Sequence, residues 1–291
     1  MSTAPAILDF DRSVGALPGA TRIDLADWQE AIRFGCGLRR FRDITQVIND
    51  RLPANSDCVF LGSGDFHHLT WPLVERHCAR GSFDVIVFDN HPDNMRFPFG
   101  VHCGSWVRKV ASLPFVAHVH VAGISSADVS AAHAWENHLT PLRRRKLTYW
   151  TIGVDTRWAA RLGLAHAFRN FDTRAALLDR FLDEQRGAAH PVYLSIDKDV
   201  LSADVARTNW DQGLLLDTDL FAAIEALRGR LFASDITGDV SAYRYATWWK
   251  RKLSALDEQP DIDPTQLAAW QAQQHALNLC LLERIANSRT G

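Results

Sequence analysis

Two short runs of acids and histidines carry the chemistry of this chain. Asp89-Asn90-His91-Pro92-Asp93 places three metal-binding residue types on alternate positions, and Asp197-Lys198-Asp199 places two more the same way. Side chains alternate along extended backbone, so each run can aim its donors at one point. Together the runs offer four carboxylates (Asp89, Asp93, Asp197, Asp199) and one imidazole (His91), and Gly64-Asp65-Phe66-His67-His68 can add a second imidazole. That exceeds the needs of one cation and suits a pair of divalent ions. Oxygen-rich ligation with one or two imidazoles favours Mn2+ over a thiolate-binding zinc site. Two such ions sharing a carboxylate would activate a water between them at neutral pH. A lone Asp-x-Asp is often only a helix cap. Two acidic runs at one place repel each other unless a cation neutralises them, which capping does not explain.

The elements that must position these runs are legible from hydrophobic pattern. Residues 57–62, 83–88, 115–122, 147–152, 192–196 and 231–234 are short apolar stretches ending in Gly or Asp. Being continuously apolar rather than alternating, they read as buried parallel strands. Amphipathic helices are expected between them at 69–79, 174–186 and 217–227, with a long last helix at 264–287. Strands alternating with helices give an α/β domain with a parallel sheet, and a (β/α) barrel also fits this length. The acidic runs follow separate strands, at the carboxyl ends where open α/β sheets bind ligands. Without a repeat or a Gly/Ser linker, the 291 residues read as one domain, with residues 1–50 forming covering helices near 28–34 and 44–52.

Composition excludes several classes. With 47% apolar and 23% charged residues the chain is neither disordered nor fibrous. A net charge of −2 argues against a nucleic-acid partner, and the basic run Arg143-Arg144-Arg145-Lys146 reads as a solvated face. The longest uncharged stretch, residues 110–127, is broken by Pro114, His118 and His120, so no membrane span is expected. Asp9 and Asp11 interrupt the N-terminal apolar residues, against a signal peptide. Five cysteines without a CxxC pair point to reduced thiols and a cytoplasmic setting.

At the acidic runs the sequence resembles the ureohydrolases, the arginase–agmatinase–formimidoylglutamase family. The family signatures are Gly-Gly-Asp-His, Asp-Ala-His-x-Asp and Ser-x-Asp-x-Asp. Here they stand as Ser63-Gly64-Asp65-Phe66-His67, Asp89-Asn90-His91-Pro92-Asp93 and Ser195-Ile196-Asp197-Lys198-Asp199, in the same order, with coverage from about residue 57 to 239. The resemblance implies a three-layer α/β/α fold around a mostly parallel sheet and a binuclear centre with two Mn2+ per chain. It also implies hydrolysis of a C–N bond in a guanidino or formimino group of a small cationic substrate, in a homo-oligomer.

Carried over position by position, the resemblance makes Asp89, His91, Asp93, Asp197 and Asp199 metal ligands, with Asp89 and Asp197 bridging. Phe66 occupies the place of the family's remaining histidine, so the sixth ligand is His67, brought round by a one-residue bulge, or else His68. His102, in Gly100-Val101-His102-Cys103-Gly104, matches the family's proton-shuttling histidine and is the candidate general acid, with Asp93 accepting a proton. Where the family grips its substrate with a glutamate, Gly238 stands and Asp239 follows, so Asp239 is the candidate substrate acid. Trp210 is a candidate pocket wall, and Asp155 either binds a substrate amine or caps a helix. Tyr243, Tyr245, Trp248 and Trp249 line the pocket or form a buried helix face. Two other readings compete: a one-zinc deacylase of the histone-deacetylase type, for which His67-His68 would be the tandem base, and a non-catalytic metal-binding protein.

Overall fold

The computed structural model describes residues 4–256, 259 and 262–289. Its strands are β1 (Ala6–Asp9), β2 (Thr21–Asp24), β3 (Gly35–Cys36), β4 (Cys58–Gly62), β5 (Phe83–Phe88), β6 (Val101–His102), β7 (Val116–Ile124), β8 (Leu147–Ile152), β9 (Phe168–Phe171), β10 (Val192–Asp197) and β11 (Leu231–Thr237). Nine of them form one open sheet in the order β2-β1-β4-β11-β10-β5-β7-β8-β9. Every neighbouring pair in it is parallel. The short β3 and β6 pair antiparallel outside it. The sheet keeps two edges, β2 and β9, so the barrel alternative does not hold.

Alternation along the buried strands divides the core in two. Val85 and Val87 face one layer, with Phe41, Ile44 and Ile48 of helix Leu38–Arg51 and Val107 and Val110 of helix Val107–Ala111. Ile86 and Phe88 face the other, with Leu177 and Phe181 of helix Arg174–Arg186, Leu220 and Ile224 of helix Asp217–Ala226, and Leu277, Leu281 and Ile285 of helix Pro264–Arg289. Both faces of the strands are therefore apolar, which is why the pattern does not alternate in sequence. The layers are helix, sheet, helix.

The N-terminal quarter departs from the expectation of covering helices alone. Helices do occur there, at Gln29–Ile32 and Leu38–Arg51, but β1 and β2 precede them and extend the sheet. A four-residue strand is too short to show a period.

The connectivity builds the site. The chain passes from β4 to β5 across a gap that β10 and β11 later fill, so the four strands that precede the acid- and histidine-bearing segments are consecutive neighbours, β4-β11-β10-β5. Their carboxyl ends meet at a topological switch point.

Candidate metal centre

After β4 the chain turns through a 3-10 helix, Gly64–Leu69, capped by Ser63, whose hydroxyl accepts from the Asp65 amide. The register between β4 and β11 slips by one residue between Phe60 and Gly62, and Gly62 has φ of 84°. A Cβ there would sit 2.6 Å from Asp11 Oδ1, so both conformation and space require glycine. The 3-10 turn eclipses residues three apart. Phe66 turns into the core and stacks on Phe10 at 4.6 Å, while His67 faces the carboxylates. His68 is buried away from them against Phe41, with neither ring nitrogen hydrogen-bonded, and burial holds it well below the ordinary histidine range.

Asp89 follows β5 and Asp197 ends β10. His67 Nδ1 lies 2.8 Å from Asp93 Oδ2, 3.2 Å from Asp89 Oδ2 and 3.4 Å from Asp197 Oδ2. His91 Nδ1 lies 3.0 Å from Asp199 Oδ2 and 3.5 Å from Asp89 Oδ1. Two triads result, His67-Asp89-Asp93 and Asp89-His91-Asp199, each with donor atoms within 4.8 Å of one another, and Asp89 belongs to both. Asp197 adjoins the first and accepts from the Asp199 amide at 3.1 Å. Asp93 takes φ of 44°, a conformation Asp tolerates better than most residues, and its Oδ2 accepts from Trp106 Nε1 at 2.6 Å.

All four carboxylates are buried. Burial, then the charge of Asp89, raises Asp93 and Asp199 to about 7. Burial, then the charge of Asp199, pushes Asp197 well above the usual range. Against burial, the imidazoles of His67 and His91 beside it hold Asp89 below it. Both imidazoles are raised well above the ordinary value by the acids beside them, again against burial. The cluster thus retains protons that a divalent cation would replace. The donor set suits such an ion, and the buried Asp89 Oδ2 makes no hydrogen bond.

Further residues hold the ligands. His67 Nε2 meets Ser195 Oγ at 2.9 Å, and Ser195 donates to Asp235 at 2.7 Å. Asp235 also accepts from Thr70 and Tyr193, so it supports His67 from below. His91 Nε2 meets Asp211 Oδ1 at 2.7 Å. Sequence reading missed Asp211, although it adjoins Trp210; an acid in an irregular loop 120 residues from its partner gives no local signal. Trp210 lies edge-on to His91 at 5.9 Å between ring centroids and stacks with Phe34 at 6.1 Å. With Asp211 and Trp270 it lines a cavity of about 410 Å3.

Three expected site residues make other contacts. Asp155 is exposed and bound to Arg157, whose amide it caps at 3.0 Å, so its acid is spent on a helix start. His102 accepts from the Gly104 amide through Nδ1 and packs edge-on to Phe97. Burial lowers it to about 4, so it is neutral at pH 7 rather than titrating there.

Asp239 is 1% exposed and is not at the rim. Gly238, with φ of 87°, turns the chain inward, and Asp239 Oδ1 pairs with Lys198 Nζ at 2.6 Å. Asn278 bonds both partners at 2.9 Å. The Asp239 carboxylate is therefore the counterion of the lysine inside Asp-x-Asp, not a free substrate acid. Asp239→Asn should leave a buried ammonium uncompensated and cost about 3–5 kcal/mol of stability. An unchanged urea midpoint would refute that role. Tyr243 and Tyr245 precede helix Trp248–Leu256 rather than lying on it, and line a cavity of about 550 Å3 with Arg33, Asp65 and Gln259.

A parallel α/β sheet with a buried Asp/His cluster at its switch point defines an α/β protein able to hold metal ions. Its family is more specific: a sequence model of the arginase family matches residues 13–237, and the chain belongs to that family. An uncharacterized protein of Thermotoga maritima is 28% identical over 208 residues, covering 71% of this chain and 67% of its own length. Among solved structures, proclavaminate amidino hydrolase from Streptomyces clavuligerus is similar with a TM-score of 0.51 and 17% identity over 92% of this chain and 73% of its own. Agmatine ureohydrolase of Thermoplasma volcanium gives a TM-score of 0.51 and 15% identity over 96% and 74%. Trypanosoma cruzi formiminoglutamase, solved with Mn2+, gives 0.50 and 13% over 93% and 74%. These likenesses establish the arginase-like three-layer fold.

Proposed function

We propose that this chain hydrolyses a C–N bond in a guanidino- or formimino-type small molecule at a pair of Mn2+ ions. The observation that carries the reading is the shared carboxylate: Asp89 belongs to both donor triads. His67, Asp89 and Asp93, with Asp197 beside them, would hold one ion, and Asp89, His91 and Asp199 the other. When bound, the ions supply a Lewis acid and activate water at neutral pH. The residues do the rest. Ser195 and Asp235 fix the His67 ring. Asp93, steadied by Trp106, takes the proton from the attacking water and returns it to the leaving nitrogen. Trp210, edge-on to His91, forms a wall of the adjoining cavity.

The one-zinc deacylase reading needs a tandem histidine base. His67 instead lies among the carboxylates and His68 faces the apolar core, so the pair does not act together.

The test is metal analysis after reconstitution, followed by a screen of guanidino, formimino and acyl-amine compounds for release of urea, formamide or acetate. We expect close to two Mn2+ per chain, and urea or formamide from at least one cationic compound. One Zn2+ per chain with acetate release would replace this reading by the deacylase. Two ions with no turnover of any compound would favour a binding protein.

A further inference from the structure

His91 is held from both sides. Its Nδ1 faces Asp199 and Asp89, within the second donor triad. Its Nε2 lies 2.7 Å from Asp211 Oδ1, and this partner is unlike the rest: its side chain is 66% exposed, against 14% for His91 and 3% for Asp199. An exposed carboxylate on an irregular loop loses conformational freedom when fixed and gains little from an ion pair in water. Something else must hold it.

Asn90 does so. Its Nδ2 donates to Asp211 Oδ2 at 3.1 Å and to the Asp211 carbonyl at 3.2 Å. Asn90 is itself held: its Oδ1 accepts from the Ser125 hydroxyl at 2.7 Å and the Ser125 amide at 3.1 Å, and its own amide donates to Asp199 Oδ1 at 3.1 Å. The signature Asp-Ala-His-x-Asp has alanine where this chain has Asn90, and alanine has no amide to grip an acid. The departure at 90 and the acid at 211 therefore form one device, joining the ends of β5 and β7 to the loop after β10.

We propose that Asp211, clamped by Asn90, is a positioning residue that fixes the tautomer and orientation of His91 as a metal ligand. A neutral imidazole that ligates through Nδ1 must carry its proton on Nε2. A carboxylate at Nε2 holds that proton there, stops the ring from turning, and strengthens Nδ1 as a donor. The inference rests on the metal reading above, and it assigns the device to one ion of the pair only.

The test is Mn2+ titration of the full chain by isothermal calorimetry, for the wild type and for Asp211→Asn, Asp211→Ala and Asn90→Ala. Asp211→Ala should weaken one site by about 10–100-fold and leave the other unchanged. Asp211→Asn keeps an oxygen that can accept the same proton but brings no charge, so its loss should be smaller. Asn90→Ala should weaken the same site, by freeing the acid. The exposure of Asp211 makes its variants the ones expected to fold normally, which circular dichroism checks. Two wild-type affinities in Asp211→Ala would overturn the proposal while leaving the metal centre intact. Equal weakening of both sites would mark a general structural role and also overturn it. Wild-type protein that takes up no divalent ion would overturn the functional reading first, and this inference with it.

Discussion

Asp89→Ala should leave the protein with neither ion, where Asp93→Ala should leave one. The difference follows from membership. Asp93 belongs only to the triad with His67, so the Asp89-His91-Asp199 group survives its loss. Asp89 belongs to both, its two oxygens facing opposite imidazoles at 3.2 and 3.5 Å. Metal Lewis acidity contributes several kcal/mol to a hydrolytic transition state, and each 1.36 kcal/mol is tenfold in rate. Turnover in Asp89→Ala should thus fall by about 10³-fold or more. Plasma emission spectrometry of dialysed protein would read stoichiometries near two, one and zero for wild type, Asp93→Ala and Asp89→Ala. Asp89→Asn preserves the side-chain shape and guards against a folding artefact; it too should bind neither ion tightly. Two ions in either Asp89 variant would end the shared-carboxylate description.

What sequence could and could not reveal follows from the range of each interaction. The six buried central strands announce themselves because both their faces are covered, giving unbroken apolar runs. β1 and β2 escape notice at four residues each, and β9 (Phe168-Arg169-Asn170-Phe171) because an edge strand tolerates polar side chains. The Asp89 and Asp197 runs are visible because alternation is a local property of extended chain. The choice between His67 and His68 depended on a 3-10 turn and a register slip of one residue against β11, a strand some 170 residues away. Asp239 misled for a similar reason. Its position after the last strand suggested the rim, but Gly238 turns it inward to Lys198. The signal was present: a lysine between two aspartates at a buried strand end cannot point at solvent, so it needs an acid of its own. Asn90 was visible as a departure from the family pattern, and its reason became legible only when Asp211 was found beside it.

Stripping the ions should cost more stability at pH 8 than at pH 6. In the metal-free fold Asp93 and Asp199 titrate at about 7, whereas an unfolded Asp titrates near 4. Between those values the folded chain holds protons that the unfolded chain has lost, so stability falls as pH rises through that window. His67 and His91 act in the same direction: their raised folded values give stability that is complete below about 6.5 and lost as pH rises through the folded pKa. Asp89 opposes them only in acid. Its depressed value gives stability that is lost as pH falls below the ordinary carboxylate range, outside the interval from 6 to 8. Bound ions remove the alkaline loss by taking the place of the protons, and their affinity rises as those protons leave. Each site adds about 2.7 kcal/mol when free ion stands at 100 times its Kd. At about 2–4 °C per kcal/mol, two filled sites should separate the melting temperatures of loaded and chelated protein by roughly 10 °C or more at pH 8. Scanning calorimetry with Mn2+ or with EDTA at pH 6, 7 and 8 would show the gap widening with pH, chiefly because the chelated protein melts earlier. A chelated protein that grows more stable from pH 6 to 8 would mean that Asp93, Asp197 and Asp199 carry no retained protons, and that their burial is balanced by something other than an absent cation.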